Sequence, residues 1–455
     1  MRRAACILLL AVAAVHTAAA AAPQLAVTIV RERRTLGYVR ELTALGPRLS
    51  GTPGLERAAA WAVQQFRAAG VDTATLDPFT IPDGWQREQA SGRIVAPVDQ
   101  PLHLAALGWT PSTPDGGVAG EVVTIDRLTP AQLAASPARV AGRIVLVRDD
   151  EGAGSAAAVA QRHRALDLAL RDAGALAILS ADPDGERLLS ARDRAAGAAM
   201  GVLPAAQITA ADAQTIRRLL GQGVVRAAIE LRNQAVAGPV RVSNVVAEIR
   251  GRERPDEWVI AGAHLDSWDV GPAAQDNATG AAMILDAARA IAALGERPRR
   301  SIRFALWGGE EEGQLGSTAY AQAHAAELDD CVAMLNSDAG TGRLIGWTTP
   351  DRPDVAAAVR PLLQPLQHAV GRLAFDTSTR YAFQSDGAAF IRAGVPTLDL
   401  NADDSHYEEI HHKTTDTLER VDAEQLTAGA AAVAATAYAI ADAPRRIAPR
   451  LHRER

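Results

Sequence analysis

Four apolar runs of strand length in the second half of the chain each end in acids or imidazoles, and that repetition narrows the folds open to it. Val259–Ala263 leads into His264-Leu265-Asp266, Ile302–Trp307 into Glu310-Glu311, Val332–Leu335 into Asp338, and Val395–Leu400 into a loop with His411 and His412. Continuous apolar runs suit strands buried on both faces, as in a parallel sheet covered by helices. Loops leaving the carboxyl ends of such strands gather at one crevice. Two imidazoles and several carboxylates from distant segments are therefore expected together, the donor set of a centre for two metal ions.

The rest of the chain fits an α/β class: a mixed, largely parallel sheet flanked by helices, with an inserted α/β unit. The 455 residues allow one large domain plus an insertion. Met1–Ala22 has Arg2 and Arg3, an apolar stretch from Ala4 to Val15 and small residues at Ala18–Ala22, the layout of a secretory signal peptide cleaved near Ala20–Ala22. The apolar stretch is too short to span a bilayer comfortably. Export gives a secreted or periplasmic protein with no stable membrane insertion. Residues 23–117 are expected to begin the main domain, 118–235 to form the insertion, 236–443 to complete the main domain and 444–455 to form a basic, solvated tail. Helices are expected at Leu36–Leu45, Glu56–Ala69, Ala156–Asp172, Ala210–Leu220 and Ala281–Leu294.

Without the leader, Cys331 is the only cysteine, so no intramolecular disulfide can form. The chain has one lysine, Lys413, among 47 Lys and Arg residues, and the arginines are scattered through a slight excess of acids. That distribution argues against a nucleic-acid surface.

Each cluster has its own chemistry. Asp266, two residues beyond His264, is spaced to accept the imidazole proton on the side away from a metal; with Asp269 it also suits a turn at Ser267–Gly271. Asp276 lies in Gln275–Gly280 before a helix, where Asp276, Asn277 or Thr279 serves as an N-cap or Asp276 bridges two ions with one oxygen each. Of Glu310, Glu311 and Glu312, one is expected to bind metal and a neighbour to act as general base. Asp338 follows an apolar strand and is a terminal-ligand candidate; His411 and His412 offer the remaining imidazole. Nitrogen and oxygen donors without thiolate suit Zn²⁺, with Mn²⁺ or Co²⁺ as replacements, and hydrolysis of an amide or ester.

In this order, the motifs His264–Gly271, Glu310-Glu311-x-Gly313 with Gly316, Ser337–Thr341, and His411-His412 four before Asp416-Thr417 resemble the co-catalytic zinc aminopeptidase/carboxypeptidase family, nearest its plasma glutamate carboxypeptidase branch. Gly46–Gly51 and Leu362–Leu366 share the resemblance. It implies two Zn²⁺ per chain: His264 and Asp338 on one ion, Glu311 and His412 on the other, and Asp276 between them. It further implies Glu310 as general base, Asp266 as the partner orienting His264, and a protease-associated-like insertion. The expected activity is exopeptidase cleavage of short peptides or dipeptides by a metal-bridging hydroxide, with a homodimer compatible with the family. Zinc-dependent glutaminyl cyclisation and an inactive receptor-like homologue are the rival readings. Asn277 departs from the branch, where a second acid is common. Arg380 and Asp386 are candidates for substrate contact.

Overall fold

The computed structural model describes residues 21–125, 129–148, 156–181, 197–379 and 382–451. The leader reading thus falls, up to residue 20, outside the described residues. Residues 21–32 are helical, with Ala21, Leu25, Ala26 and Ile29 buried. Among the described residues no helix is long and apolar enough to cross a membrane.

All four apolar runs are strands, Arg254–His264, Arg300–Trp307, Cys331–Asn336 and Thr397–Ala402. They lie side by side and parallel, in the order Arg300–Trp307, Arg254–His264, Cys331–Asn336, Thr397–Ala402. His264 sits beside Trp307, Gly262 beside Asn336 and Asn336 beside Asp399, so the carboxyl ends are nearly level. Every segment leaving them starts from one edge. Val240–Ile249 and Thr73–Ile81 extend the sheet antiparallel on one side, and Leu344–Thr348 and Ala374–Asp376 extend it on the other, giving eight strands.

Alternation along the strands fills two layers. Val259, Ala261, Ala263, Ile302, Phe304 and Leu306 belong to one buried cluster, while Trp258, Ile260, Ala305 and Trp307 join Tyr320 and Phe390 in another. The first layer is roofed by the helices Thr35–Ala44, Pro53–Ala69, Thr279–Ala293 and Ala423–Asp442. The helix Thr279–Ala293 is apolar almost all round, and nearly every residue is buried, as such a helix requires. Its many alanines let it lie close to the alanine-rich Ala423–Asp442. The helix Pro53–Ala69 starts before the expected Glu56, because Pro53 at its first turn has φ preset for helix. Gly70, at φ +84°, stops it in the left-handed conformation.

A second eight-stranded sheet has the order Gln100–Pro101, Gly84–Ala96, Arg226–Val236, Val118–Thr124, Arg143–Arg148, Ala177–Ala181, Ala205–Ile208, Leu104–Ala106. Its helices Ala156–Asp172 and Ala210–Leu220 have the expected bounds. Residues 84–106 join this sheet by pairing with Arg226–Val236 and Ala205–Ile208.

The basic C-terminal stretch, expected to be solvated, is docked as far as Leu451. Arg446 lies 3.3 Å from both Glu257 and Asp330, and Arg450 lies 2.8 Å from Asp329. The Leu451 N–H donates to the Gly394 carbonyl at 2.8 Å. An acidic patch folded from distant segments gives the arginines partners that linear sequence cannot display.

Glycine is needed where the glutamate loop turns back on the sheet. A Cβ at Gly316 would lie 2.2 Å from Asn244 Oδ1 and 2.3 Å from the Gly308 carbonyl oxygen. Gly316→Ala is therefore expected to destabilise the protein by about 1–3 kcal/mol, read as a lower urea midpoint at constant m-value. A wild-type midpoint would contradict this packing.

Candidate metal centre

His264 is the last residue of its strand and is fully enclosed. Its Nδ1 lies 3.1 Å from the Asp266 backbone carbonyl and 3.7 Å from the Asp266 carboxylate. Its Nε2 lies 3.1 Å from Asp276 Oδ1 and 3.5 Å from Asp338 Oδ1. Despite those distances, this buried Nε2 makes no hydrogen bond of acceptable geometry. Among the described residues these donor atoms of His264, Asp276 and Asp338 lie within 4.8 Å of one another, close enough to share one cation. A cation fits that arrangement better than a proton does.

The other oxygen of Asp276 faces a second group. Asp276 Oδ2 is 3.3 Å from His412 Nε2 and 3.9 Å from His411 Nε2, and His412 Nε2 is 2.9 Å from Glu311 Oε2. Two sets of donors within 4.8 Å of one another result, His264 with Asp276 and Asp338, and Asp276 with His411 and His412. Asp276 belongs to both. His411, left out of the expected ligand set, stands with its ring 3.7 Å from that of His412. Both imidazoles were visible in the sequence; their spacing could not say which would face Asp276.

Backbone contacts hold these side chains in place. Asp416 accepts the Gln275 N–H at 2.7 Å and the Asp276 N–H at 2.9 Å, fixing the bridging candidate by its own main chain. Asn277 donates to the Ser337 carbonyl at 2.9 Å and accepts the Gly280 N–H at 2.9 Å. A carboxylate has no proton for the first bond, so an amide suits this position. Asp266 Oδ2 accepts the Glu311 N–H at 3.2 Å, and Glu311 Oε1 accepts the Trp268 N–H at 3.3 Å. Buried Arg48 donates to the carbonyls of Leu265 at 2.8 Å and Ala273 at 3.0 Å, clamping both ends of the loop between His264 and Asp276. Arg48 and Asp416 are supports that the residue chemistry alone did not single out. Only the motif resemblance around Gly46–Gly51 and Asp416-Thr417 marked them.

Electrostatics gives the same picture. Burial pushes the Glu310 carboxyl well above the usual range; nearby His264 opposes this, and Asp338, Asp386 and Glu311 add to it. Burial and then Asp276 lift Glu311 to about 7, although His412 opposes them. Asp386, also buried, is lifted to about 8, and Asp416 to about 6. Burial disfavours the charged imidazoles, yet the surrounding acids outweigh it, holding His264 well above its ordinary value and His412 at about 10. The same two imidazoles hold Asp276 well below the carboxylate range against its burial. Carboxylates crowded out of water need positive charge, and two imidazolium protons are a poor substitute for cations. Nitrogen and oxygen donors without sulfur match zinc. Cys331 is buried at the start of its strand, and burial pushes its thiol up, which keeps it inert.

Glu312 is buried and belongs to neither donor set. Asp386 is fully enclosed ahead of the helix Gly387–Arg392, and Arg380 lies outside the described residues. Beside Asp276, Glu311 and His412 is a cavity walled by Trp268, Val270, Ala273 and Lys413. Trp268 packs edge-on to His412 and to Trp109, which stacks on Trp85 of the second sheet. Arg87 of that sheet forms a bidentate ion pair with Asp269, at 2.9 Å.

Residues 244–437 match the profile of Peptidase family M28. The chain is 32% identical over 404 residues to human (Homo sapiens) carboxypeptidase Q, spanning 88% of this chain and 83% of that one. It is 30% identical over 407 residues to carboxypeptidase Q of Xenopus laevis, with the same coverage. A Peptidase M28 precursor from Shewanella amazonensis SB2B superposes with a TM-score of 0.80 at 28% identity, covering 96% of this chain and 100% of that one. The zinc aminopeptidase of Bacillus subtilis shares the fold, with a TM-score of 0.68 at 20% identity and coverage of 89% and 94%. With that similarity running nearly end to end, and the donor sets lying inside the matched region, the chain belongs to peptidase family M28 and is a metallo-exopeptidase.

Proposed function

We propose that this enzyme is an exported two-zinc exopeptidase that hydrolyses short peptides, dipeptides included. The observation that carries the reading is the placement of Asp276, whose two oxygens face different imidazoles, Oδ1 toward His264 and Oδ2 toward His412. A shared anion is what two close dications require. His264 and Asp338 would hold one ion, His412 and Glu311 the other, and Asp276 both. When bound, the ions supply Lewis acidity for the scissile carbonyl and bring the pKa of water in the site toward ~7.

The protein supplies the rest. Glu310 takes the proton of the attacking water as the new C–O bond forms, then delivers it to the amine nitrogen as the C–N bond breaks. A carboxyl raised by burial is a stronger base toward the attacking water than an ordinary glutamate. Asp266 and its carbonyl orient His264, and Arg48 holds the loop between the donor segments. The strands of 118–235 would form a protease-associated-like unit shaping access; the sheet they share with Gly84–Ala96 reaches the site through Trp85, which stacks on Trp109 beside Trp268, and through the Arg87–Asp269 pair. Export rests on Met1–Ala22, and amino-terminal sequencing of the secreted protein tests it.

Glu310→Gln is expected to retain bound zinc while turnover falls by about 10²–10⁴-fold; near-normal turnover would exclude Glu310 as the base. Asp276→Ala is expected to lower zinc below two ions per chain, measured by elemental analysis of dialysed protein. Two ions retained in that variant would remove the bridging role.

The metal-free protein should also show a signed pH dependence. Glu311, Asp386 and Asp416 are raised, so their folded forms keep protons that the unfolded chain has released, and that stability is lost as pH rises through about 6 to 8. His412, raised to about 10, acts in the same direction, contributing fully below its unfolded value and losing its contribution as pH rises toward about 10. Chelated protein is expected to melt lower at about pH 8 than at about pH 6, and added zinc should raise Tm more at the higher pH, where fewer protons compete for the donors. A zinc-induced shift independent of pH would contradict the assigned donor set.

A further inference from the structure

We propose that Asp83, where the chain leaves the main sheet for the second, is a positioning residue for the glutamate loop. It pins residues 197–201, a connection of the second sheet, so that the Gly197 N–H holds the Glu312 carbonyl. The proposal rests on the reading of Glu310 as general base and adds what keeps the loop of that base in place. Asp83 lies between the strands Thr73–Ile81 and Gly84–Ala96, one in each sheet, and Gly238 lies on the return, between Arg226–Val236 and Val240–Ile249. The two crossings meet backbone to backbone: a Cβ on Gly238 would stand 1.5 Å from the Pro82 carbonyl oxygen. Asp83 Oδ1 accepts the Gly238 N–H at 3.2 Å, which ties the crossings together.

The other contacts of Asp83 reach inward. Its Oδ2 accepts the Met200 N–H at 3.0 Å, and its own N–H donates to the Ala198 carbonyl at 3.1 Å. Its carbonyl accepts the Trp109 indole N–H at 2.9 Å, and the Trp109 carbonyl accepts the Gly201 N–H at 2.7 Å. Gly197 and Ala198, at φ +87° and +55°, are both left-handed, and an alanine keeps that conformation only where its surroundings impose it. The double turn presents the Gly197 N–H to the Glu312 carbonyl at 2.7 Å. Trp109 also meets Trp268 edge-on, and Trp268 meets His412 the same way. Asp83 thus supports the base loop by one path and the cavity wall by another. The first path uses the carboxylate, which makes charge-assisted bonds to two backbone N–H groups. The second uses the main chain, which survives a change of side chain. Losing the carboxylate therefore falls on the loop that carries Glu310 and spares the wall.

The test uses zinc-loaded full-length enzyme, wild type against Asp83→Ala and Asp83→Asn, read by steady-state kinetics on a dipeptide and by amide hydrogen exchange. Asp83→Ala is expected to lose about ten- to hundred-fold in kcat, the scale of a slightly misplaced catalytic group, with KM little changed. Its exchange should quicken in residues 197–201 and 308–316 and stay at the wild-type level in Thr279–Ala293. Asp83→Asn keeps one accepting oxygen and should fall between; it also carries the test if Asp83→Ala does not fold. Asp442→Ala is the control for general loosening. Asp442 accepts the Arg299 N–H at 3.0 Å and pairs with Arg252, at the sheet edge opposite the metal centre. That variant should lower Tm yet leave kcat and exchange at 308–316 unchanged. Wild-type kcat in both Asp83 variants would overturn the proposal. So would a fall in kcat without faster exchange at 308–316, or an equal fall in Asp442→Ala. If zinc-loaded wild type hydrolyses no peptide, the exopeptidase reading fails, and the exchange comparison alone decides whether Asp83 holds the loop.

Discussion

Everything around the site answers to the crowding of carboxylates that have been taken out of water. Asp266, Asp276 and Asp386 are buried, and Glu310, Glu311 and Asp338 stand close by. Burial alone would protonate such a group, and close neighbours of like charge would protonate it further. At Asp276 imidazole prevents that, with His264 and His412 lying on either side of it, whereas Glu310, Glu311 and Asp386 stay raised. The cluster is an electrostatic demand for cations, met only in part by protons. A fold that tolerates such a demand must be held by other interactions.

Those interactions come from the level carboxyl ends of four parallel strands and from backbone hydrogen bonds to the acids' own segments. Asp416 grips the main chain at Gln275 and Asp276, Asp266 grips that of Glu311, and Arg48 ties the loop that separates His264 from Asp276. Each of these bonds joins parts of the chain far apart in sequence. A donor atom cannot shift without moving a strand end or a packed helix, which is how a site stays ordered while its charges repel. The second sheet reaches the same place through Trp85, Trp109 and Arg87, so its packing and the aromatic wall of the cavity are mechanically linked.

Much of this was legible beforehand because period and chemistry coincided. Continuous apolar character marked Val259–Ala263 and Ile302–Trp307 as strands covered on both faces, within the observed Arg254–His264 and Arg300–Trp307, and an acid or histidine just beyond such a strand has few purely structural uses. The helices Ala156–Asp172 and Ala210–Leu220 were readable to the residue from spacing. The docking of Arg446 and Arg450 was not, because their partners Glu257, Asp329 and Asp330 come together only by folding. Nor was the pairing of residues 84–106 with the second sheet, since hydrogen bonding between strands depends on which edges meet and leaves no mark in either strand alone.

By itself, the order of residues determined the α/β class, the elements that carry the acids and imidazoles, and the family to which their spacing belongs. The class and the elements are local, following from periodicity, turn chemistry and which side chains can ligate an ion, and the family follows from the resemblance of the motifs. Tertiary structure alone decided that Asp276 presents one oxygen to His264 and the other to His412, that His411 lies alongside, and that Lys413 lines the cavity. The 3.1 Å between His264 and Asp276 and the 3.3 Å between Asp276 and the distant His412 are set by strand register and loop anchoring. No single segment encodes them.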